Sequence, residues 1–259
     1  MPVREWDGKS YDRVSGTMEA LGLAVLERLE LNGDELVLDA GCGSGRITEA
    51  LLERLPQGRV IAVDESPSMV EAARTRLGPD ADVRVMDLLQ LELEQPLDAI
   101  LSTATFHWIS DHQRLFRSLH GALKPGGRLV AQCGGEGNIT VLRSSASKVL
   151  AREPYAQHFL NWQPPWNYAG AESTHERLLA AGFSTAECWL APAPREPEHP
   201  REFLSTIVLG PHVQQLPPEL REPFMDDVLA ELGEPVVVDY VRLNIDAVAG
   251  SSPPASSAA

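Results

Sequence analysis

The sequence predicts an α/β protein with a seven-stranded, mostly parallel sheet, helices on both faces and an antiparallel last strand. Two observations support this fold. Short β-rich runs alternate with helical patterns through the first half of the 259-residue chain, which is typical of βαβ units with right-handed crossovers. The first three predicted strands also carry an acidic residue at their carboxyl ends, namely Asp39, Asp64 and Asp87. Carboxyl ends of parallel strands meet at one sheet edge, where open α/β sheets bind ligands.

The individual elements follow from apolar runs, helical spacing and turn residues. Ser66 is the expected N-cap of the second helix, with Pro67 as its first residue. Prolines at 154, 164 and 165 argue against a long helix in that region. The predicted strands cover 35–40, 60–64, 83–87, 97–102, 128–133, 183–190 and 236–247, and the predicted helices cover 44–55, 67–77, 112–123, 172–181, 201–209 and 218–232.

These elements predict one domain over residues 1–249. Its core covers about 30–135, preceded by an N-terminal segment and followed by a C-terminal cap. Two segments, 153–170 and 191–233, are the predicted cap elements. The second is expected at the ligand edge of the sheet. The first is rich in aromatic residues, and its alternatives are a lid over the substrate and, favoured for most of its residues, a hydrophobic cluster that holds the C-terminal part on the core. The tail over 250–259 is small and polar, so it is predicted to be disordered.

Composition narrows the class of protein and its partners. The formal net charge is −15, which disfavours a nucleic-acid substrate because an acidic chain repels a phosphate backbone. The sequence has no run of about 18 apolar residues, so it predicts no membrane span. The acidic N-terminus does not resemble a signal peptide. The three cysteines form no C-x-x-C pair and the histidines show no metal-binding spacing. We therefore expect a cytoplasmic protein without a metal site.

The most informative motif is the glycine-rich loop over 41–45, which follows a buried strand. Its glycines let the chain turn tightly and let a ligand approach the backbone. The third glycine, Gly45, lies two residues after Gly43, whereas the dinucleotide fingerprint G-x-G-x-x-G places it three after. Asp39, two residues before Gly41, would repel a pyrophosphate. S-adenosylmethionine carries an ammonium and a sulfonium and no phosphate, so it suits this loop better. A purely structural strand–helix turn is the alternative.

Two further acids extend this prediction. Asp64 ends the second strand 19 residues after Gly45, close to the separation at which an acid reaches ribose hydroxyls. Asp87 ends the third strand and is placed to accept a hydrogen bond from an adenine amino group. The alternatives are a solvated acid at the end of a strand for Asp64 and a helix cap for Asp87.

With these motifs in place, residues 30–135 resemble the class I S-adenosylmethionine-dependent methyltransferases, which have a Rossmann-like fold. The resemblance rests on D-x-G-C-G-x-G, V-D-E-S-P-x-M-V, M-D-L and L-K-P-G-G. The segment 102–111 and a W-x₄-Y pair, Trp6 and Tyr11, are similar to the trans-aconitate methyltransferase-like subgroup. That subgroup tends to have asparagine where this chain has Thr103.

The resemblance implies roles for matching residues. Asp39, Gly41 and Gly43 would hold the methionine part of the cofactor, and Asp64 the ribose. Met69 and Met86 would sandwich the adenine, with Asp87 at its edge. The full implied set of cofactor-binding residues is Tyr11, Asp39, Gly41, Cys42, Gly43, Asp64, Glu65, Met69, Met86, Asp87, Leu88 and Thr103.

The predicted reaction is methyl transfer to a small molecule, with O-methylation of a carboxylate or hydroxyl favoured. His107, just past the fourth strand, is the candidate general base, and pocket packing is its alternative role. Trp108, Trp166 and Arg242 are candidate substrate contacts, with structural packing or ion pairing as the alternative. The competing functions are a C- or N-methyltransferase of secondary metabolites, an NAD-dependent oxidoreductase and a non-catalytic cofactor-binding module.

Overall fold

The computed structural model of the protein describes residues 16–251, with side chains from residue 19 onward. Within this range seven strands form one sheet in the order β3-β2-β1-β4-β5-β7-β6. Strands β1 to β5 are parallel, and β7 runs antiparallel to both β5 and β6. The predicted fold class is therefore confirmed. The strands are β1 (Leu36–Ala40), β2 (Arg59–Asp64), β3 (Asp82–Val85), β4 (Leu97–Thr103), β5 (Leu123–Gly134), β6 (Phe183–Pro192) and β7 (Val241–Ala249).

Helices cover both faces of the sheet because successive strand residues face opposite sides. Val37 and Val60 pack against α1 and α2, whereas Leu38 and Ile61 pack against α4 and α6. The helices are α1 (Gly16–Arg28), α2 (Arg46–Glu53), α3 (Pro67–Leu77), α4 (His112–Ala122), α5 (Thr140–Leu150), α6 (Ala171–Ala181), α7 (Pro200–Phe203), α8 (Gly210–Gln215) and α9 (Pro218–Leu232). Short 3₁₀ turns occupy Leu88–Gln90, Phe106–Trp108 and Ala156–His158.

The helix starts follow the sequence signals closely. The Ser66 hydroxyl accepts a 3.4 Å hydrogen bond from the Met69 amide, and Pro67 is the first residue of α3. Asp111 caps α4 in the same way through the Arg114 amide at 2.9 Å. Each cap satisfies an amide that has no carbonyl partner within the first turn of its helix.

The C-terminal half contains a second hydrophobic cluster, called the cap cluster below, which is separate from the core around the sheet. Residues from both predicted cap segments take part, together with α5, which the sequence did not predict. Its fully buried members include Leu142, Leu204 and Phe224. The helix predicted over 201–209 is present over 200–208, although only its first turn is α-helical. The chain forms α7 and then a wide π-type turn over Leu204–Val208, before α8 starts at Gly210.

The last strand also starts later than predicted, at Val241 instead of residue 236. Before it, Val238 makes an isolated antiparallel bridge with Arg195, and its side chain joins the cap cluster. The predicted disordered tail lies outside the described residues except for Gly250 and Ser251. None of the described helices is long and apolar enough to span a membrane.

Candidate active site

The glycine loop lies between the carboxyl end of β1 and the start of α2. Gly41, Gly43 and Gly45 have positive φ angles of 84°, 53° and 84°, which favour glycine. A Cβ at Gly41 would overlap the Thr105 side chain, so the packing of the protein itself requires that glycine. A Cβ at Gly43 would meet no described atom within 4 Å. The loop therefore leaves open space beside Gly43, where a ligand can contact the backbone.

Asp39 is the most buried acid at this edge, with only 1% of its surface exposed. One of its oxygens accepts a 2.7 Å hydrogen bond from the Thr48 hydroxyl on α2. The other oxygen is buried and has no hydrogen-bond partner among the described residues. Burial, with a smaller contribution from the charge of Asp64, raises the pKa of Asp39 to about 6. An unpaired carboxylate oxygen of this kind is suited to a cationic group.

Asp64 lies beside the loop at the end of β2. Its two oxygens accept backbone hydrogen bonds from Gly43 at 3.0 Å and from Ser66 at 2.9 Å. Burial is the main reason that its pKa is raised, although these hydrogen bonds act in the opposite direction. A carboxylate oxygen has two lone pairs, so each oxygen can accept one more hydrogen bond. This is compatible with the predicted ribose contact.

The predicted adenine-binding residues lie next to Asp64. Asp87 caps the turn Leu88–Gln90 by accepting a 2.8 Å hydrogen bond from the Leu89 amide. The capping alternative is therefore realised, and the capping oxygen still has a second lone pair. Glu65, predicted to bind the cofactor, has a largely exposed side chain; partial desolvation of its carboxyl group, and then the charges of Asp87 and Asp64, raise its pKa. Met69 is 3% exposed, whereas Met86 is half-buried and more accessible to a ligand.

A cavity connects the glycine loop with the ends of β4, β5 and β7. It brings together five of the predicted site residues, namely Gly41, Cys42, Gly43, Thr103 and Arg242. The rest of its lining is Glu19, Leu21, Gly22, Ser44, Arg46, Ile47, Ala104 and Gln132. The predicted cofactor residue Tyr11 lies outside the described part of the chain.

His107 lies in the 3₁₀ turn after β4 and is 8% exposed. Its Nδ1 accepts a 3.3 Å hydrogen bond from the Gly134 amide on β5. In a neutral imidazole one ring nitrogen accepts and the other carries the proton, so this bond places the proton on Nε2. The geometry therefore supports the packing alternative, and the role as general base remains an untested prediction.

Aromatic side chains form a wall next to His107. Trp166 and Tyr168 stack with ring centroids 5.9 Å apart and planes at 8°, and Tyr168 lies 5.8 Å from His107. The Trp166 ring also has two other neighbours: its centroid lies 6.1 Å from that of Trp108 and 5.6 Å from that of His212 on α8. The two predicted substrate contacts, Trp108 and Trp166, are thus adjacent, and they join the cap to the sheet edge. Neither of them lines the cavity described above.

Arg242 is the third predicted substrate contact and is only 3% exposed. Its Nε donates a 3.3 Å hydrogen bond to the Gln132 side chain, and its guanidinium lies 5.6 Å from the Tyr240 ring centre. A buried guanidinium in the cavity gives the site a fixed positive charge within an acidic protein.

Gln132 and Tyr168 were not among the site residues predicted from the sequence. Gln132 sits inside an apolar strand, where an isolated polar residue is a usable signal. Tyr168 lies in the segment 153–170, among several other aromatic residues that give it no distinct signal. Among the described residues no group of three or more His, Cys, Asp or Glu side chains is arranged to hold a metal ion.

Known proteins that are similar in sequence to this chain include methyltransferases. Residues 37–127 match the family model described as a methyltransferase domain. An uncharacterized methyltransferase from Schizosaccharomyces pombe is 30% identical over 71% of this chain and 72% of its own length. The chain belongs to the class I S-adenosylmethionine-dependent methyltransferases.

Two further relatives have names that state the molecule they methylate. A trans-aconitate 2-methyltransferase from Methylobacterium nodulans is 29% identical over 74% of this chain and 69% of its own length. A malonyl-[acyl-carrier protein] O-methyltransferase from Ilyobacter polytropus is 36% identical, and the match covers 48% of this chain and 47% of the relative. The chain thus spans about half the length of that second relative. The predicted likeness to the trans-aconitate methyltransferase-like subgroup is confirmed.

A solved structure shows the same fold at low sequence identity. Phosphoethanolamine N-methyltransferase 2 from Haemonchus contortus, in complex with S-adenosyl-L-methionine, superposes with a TM-score of 0.61 at 20% identity. The match covers 95% of this chain and 57% of the other.

Proposed function

We propose that the protein transfers a methyl group from S-adenosylmethionine to a carboxylate oxygen of a small molecule. The observation that carries this proposal is the buried guanidinium of Arg242 in the cavity beside the glycine loop. A guanidinium presents fixed donors that match a carboxylate. The names of two relatives, which act on trans-aconitate and on malonyl-acyl carrier protein, support an acidic acceptor.

The acids at the sheet edge fit the cofactor. When bound, S-adenosylmethionine supplies a methyl group on a positively charged sulfur. The unpaired oxygen of Asp39 would hold the ammonium group, and the remaining lone pairs of Asp64 would accept the ribose hydroxyls. Met69, Met86 and Asp87 would contact the adenine. The open space at Gly43 lets the ligand reach the loop backbone.

A carboxylate acceptor agrees with the state of His107. Such an acceptor is ionised at neutral pH. It would form the O–CH3 bond as the S–CH3 bond breaks and S-adenosylhomocysteine leaves, and no proton has to be removed, so the protein contributes position and desolvation. A hydroxyl acceptor needs a base. Because the Nδ1 lone pair of His107 is used by the Gly134 amide, this histidine is better suited to shape the pocket than to take a proton.

Arginine variants test the proposal. A panel of small carboxylic acids, phenols and amines with labelled cofactor identifies the acceptor by its gain of a methyl group. Arg242→Met should then raise KM for the acid at least about tenfold, which corresponds to a loss of about 1.4 kcal/mol in binding free energy. Arg242→Lys keeps the charge without the two-pronged geometry and should have a smaller effect. A phenol or amine as the best acceptor, with KM unchanged in Arg242→Met, would contradict the proposal.

A further inference from the structure

We propose that Gln132 is a positioning residue that orients the guanidinium of Arg242 towards the acceptor, and that Asn244 and Arg28 hold Gln132 in place. The inference rests on the proposed function, because it requires that Arg242 receives an anionic group. Gln132, Arg242 and Asn244 lie on the antiparallel pair of strands β5 and β7 behind the cavity, which none of the sequence motifs indicated.

The starting observation is a buried polar stripe on β7. Side chains alternate between faces along a strand. Leu243 and Ile245 enter the core around α4 and α6, whereas Arg242, Asn244 and Asp246 share the opposite face. Arg242 and Asn244 are each only 3% exposed. Alternation of apolar and polar residues normally marks a strand with one face in water, but here Arg242 and Asn244 on the polar face are buried and only Asp246 is partly exposed.

Gln132 connects the members of this stripe. It lies directly opposite Asn244 in the β5–β7 ladder, and Gly134 lies opposite Arg242. The Gln132 amide nitrogen donates a 2.8 Å hydrogen bond to Asn244 Oδ1, and its oxygen accepts the 3.3 Å hydrogen bond from Arg242 Nε. The reverse orientation of the amide would set its donor against the guanidinium, so the two bonds define one orientation.

Arg28, at the end of α1, fixes the far side of the stripe. It donates a 2.5 Å hydrogen bond to Asn244 Oδ1 and a 2.9 Å hydrogen bond to the Ala131 carbonyl. It also forms an ion pair with Asp246 at 3.1 Å and lies 5.0 Å from the Trp189 ring centre. Arg28 therefore holds Asn244, Asn244 holds Gln132, and Gln132 holds Arg242.

The near end of this chain of contacts is the cavity. Gln132 and Arg242 both line it, together with Thr103 and Gly41. The Gln132 carbonyl also accepts a 2.7 Å hydrogen bond from the Ala104 amide, which ties β5 to the end of β4. Arg242 reaches the cavity on a long side chain that has several rotamers, and a fixed Nε restricts them.

The competing explanation is that these polar groups only attach α1 to the sheet. Arg54 provides a matched control, because it also ties α1 down without touching the stripe. It donates hydrogen bonds to the carbonyls of Leu26 at 2.9 Å and Leu29 at 3.3 Å. Arg54→Met should weaken the attachment of α1 at these two carbonyls and leave the hydrogen bonds of Arg28, Asn244 and Gln132 in place.

The experiment compares kinetics and cofactor binding of the full chain for three variants. Gln132→Glu places a carboxylate beside Arg242 that competes with the acceptor, so KM for the acid should rise at least about tenfold. Its kcat should change less than about threefold, and affinity for S-adenosylhomocysteine, measured by calorimetry, should not change. Gln132→Leu should raise KM less. The neutral amide of the same acid serves as an inhibitor that has no carboxylate charge for Arg242 to bind. Its inhibition constant should therefore be the same in both Gln132 variants as in the unsubstituted protein.

The outcomes separate this inference from the proposed function. A rise in KM for the Gln132 variants, but not for Arg54→Met, is the expected result. An equal rise in Arg54→Met shows that only the attachment of α1 matters and overturns the inference. If Arg242→Met raises KM while the Gln132 variants do not, the positioning role fails and the proposed function stands. If no acid is methylated, both fail. Circular dichroism checks folding, and Gln132→Asn, which keeps a shorter amide, replaces any variant that does not fold.

Discussion

Thr48 donates a 2.7 Å hydrogen bond to one carboxylate oxygen of Asp39, while the other oxygen has no hydrogen-bond partner among the residues that the structure describes. A buried carboxylate that is only half satisfied is destabilising in its charged form. This explains why the pKa of Asp39 is raised to about 6. A cation at the second oxygen would remove the deficit, so the residue links cofactor binding to pH and to stability.

Cofactor affinity should increase with pH between 5 and 7.5. Below its pKa of about 6, Asp39 is mostly protonated and offers no charge to an ammonium group. Affinity at pH 5 should therefore be about tenfold weaker than at pH 7.5. Calorimetric titration with S-adenosylhomocysteine measures this, with Asp39→Asn as the control that should bind weakly at both values. An affinity that does not change with pH in the unsubstituted protein would rule out this role.

Asp39→Asn should stabilise the ligand-free protein at pH 7.5. The pKa of Asp39 is higher in the folded chain than in the unfolded one, so folding favours the protonated form. The resulting destabilisation develops as pH rises from about 4 to about 6 and is fully present above that. The variant should gain on the order of 1–3 kcal/mol in free energy of unfolding at pH 7.5 and almost nothing at pH 4. Denaturant unfolding at both values provides the test, and equal changes at both would contradict it.

Two alanine substitutions in the glycine loop should behave differently. Gly41→Ala meets the Thr105 side chain, so it should lower the thermal midpoint of the ligand-free protein by several degrees. Gly43→Ala meets no described atom within 4 Å and carries only the strain of its positive φ, about 1 kcal/mol. Its methyl group would occupy space assigned to the cofactor, so affinity should fall at least about tenfold. Thermal melting with and without S-adenosylhomocysteine separates the two, and normal binding by Gly43→Ala would place the ligand elsewhere.

Asp64→Ala should lower cofactor affinity at least about tenfold, or about 1.4 kcal/mol. Removing the carboxylate would abolish its predicted bonds to the ribose. It would also leave the amides of Gly43 and Ser66 without the hydrogen bonds that they now donate to Asp64. Asp64→Asn, whose single acceptor oxygen can keep one of those backbone bonds, should be intermediate. Titration calorimetry measures both variants. Unchanged affinity in Asp64→Ala would show that the ribose is held by other residues.

His107→Asn should leave kcat within about threefold. An asparagine oxygen is able to accept the hydrogen bond that Nδ1 now receives from Gly134, and a carboxylate acceptor needs no base. Loss of a general base typically lowers the rate by 10²–10⁴. Steady-state rates over pH 5.5–8.5 distinguish the two roles. A drop of a hundredfold, with loss of the acidic limb of the profile, would restore the base assignment and favour a hydroxyl acceptor.

The sheet and the helices around it were predictable because their signals are local. Buried runs such as that of β1, the cap at Ser66 and the Gly-rich loop act within a few residues. The missed or misplaced elements depend on distant partners. Helix α5 has apolar residues Leu142, Ala146 and Val149, but they acquire their role only by packing into the cap cluster. The start of β7 depends on the bridge between Arg195 and Val238.

The candidate site divides in the same way. The loop glycines and the acids that end β1 and β2 are close in sequence to the signals that reveal them. Arg242 was proposed as a substrate contact, but its burial became visible only in the structure. Gln132 was missed because its importance comes from Asn244 and Arg242, which are more than 100 positions further along the chain. Contacts of this kind between strands carry no fixed sequence spacing.

The chemistry of the product is the most direct test of carboxylate methylation. The purified protein is incubated with methyl-labelled S-adenosylmethionine and a panel of carboxylic acids, and each labelled product is treated with mild alkali. We predict a product one methyl group heavier than its acid, which alkali converts back to the acid with release of labelled methanol. A labelled product that resists alkali, with the methyl group on carbon, nitrogen or an ether oxygen, would contradict the account.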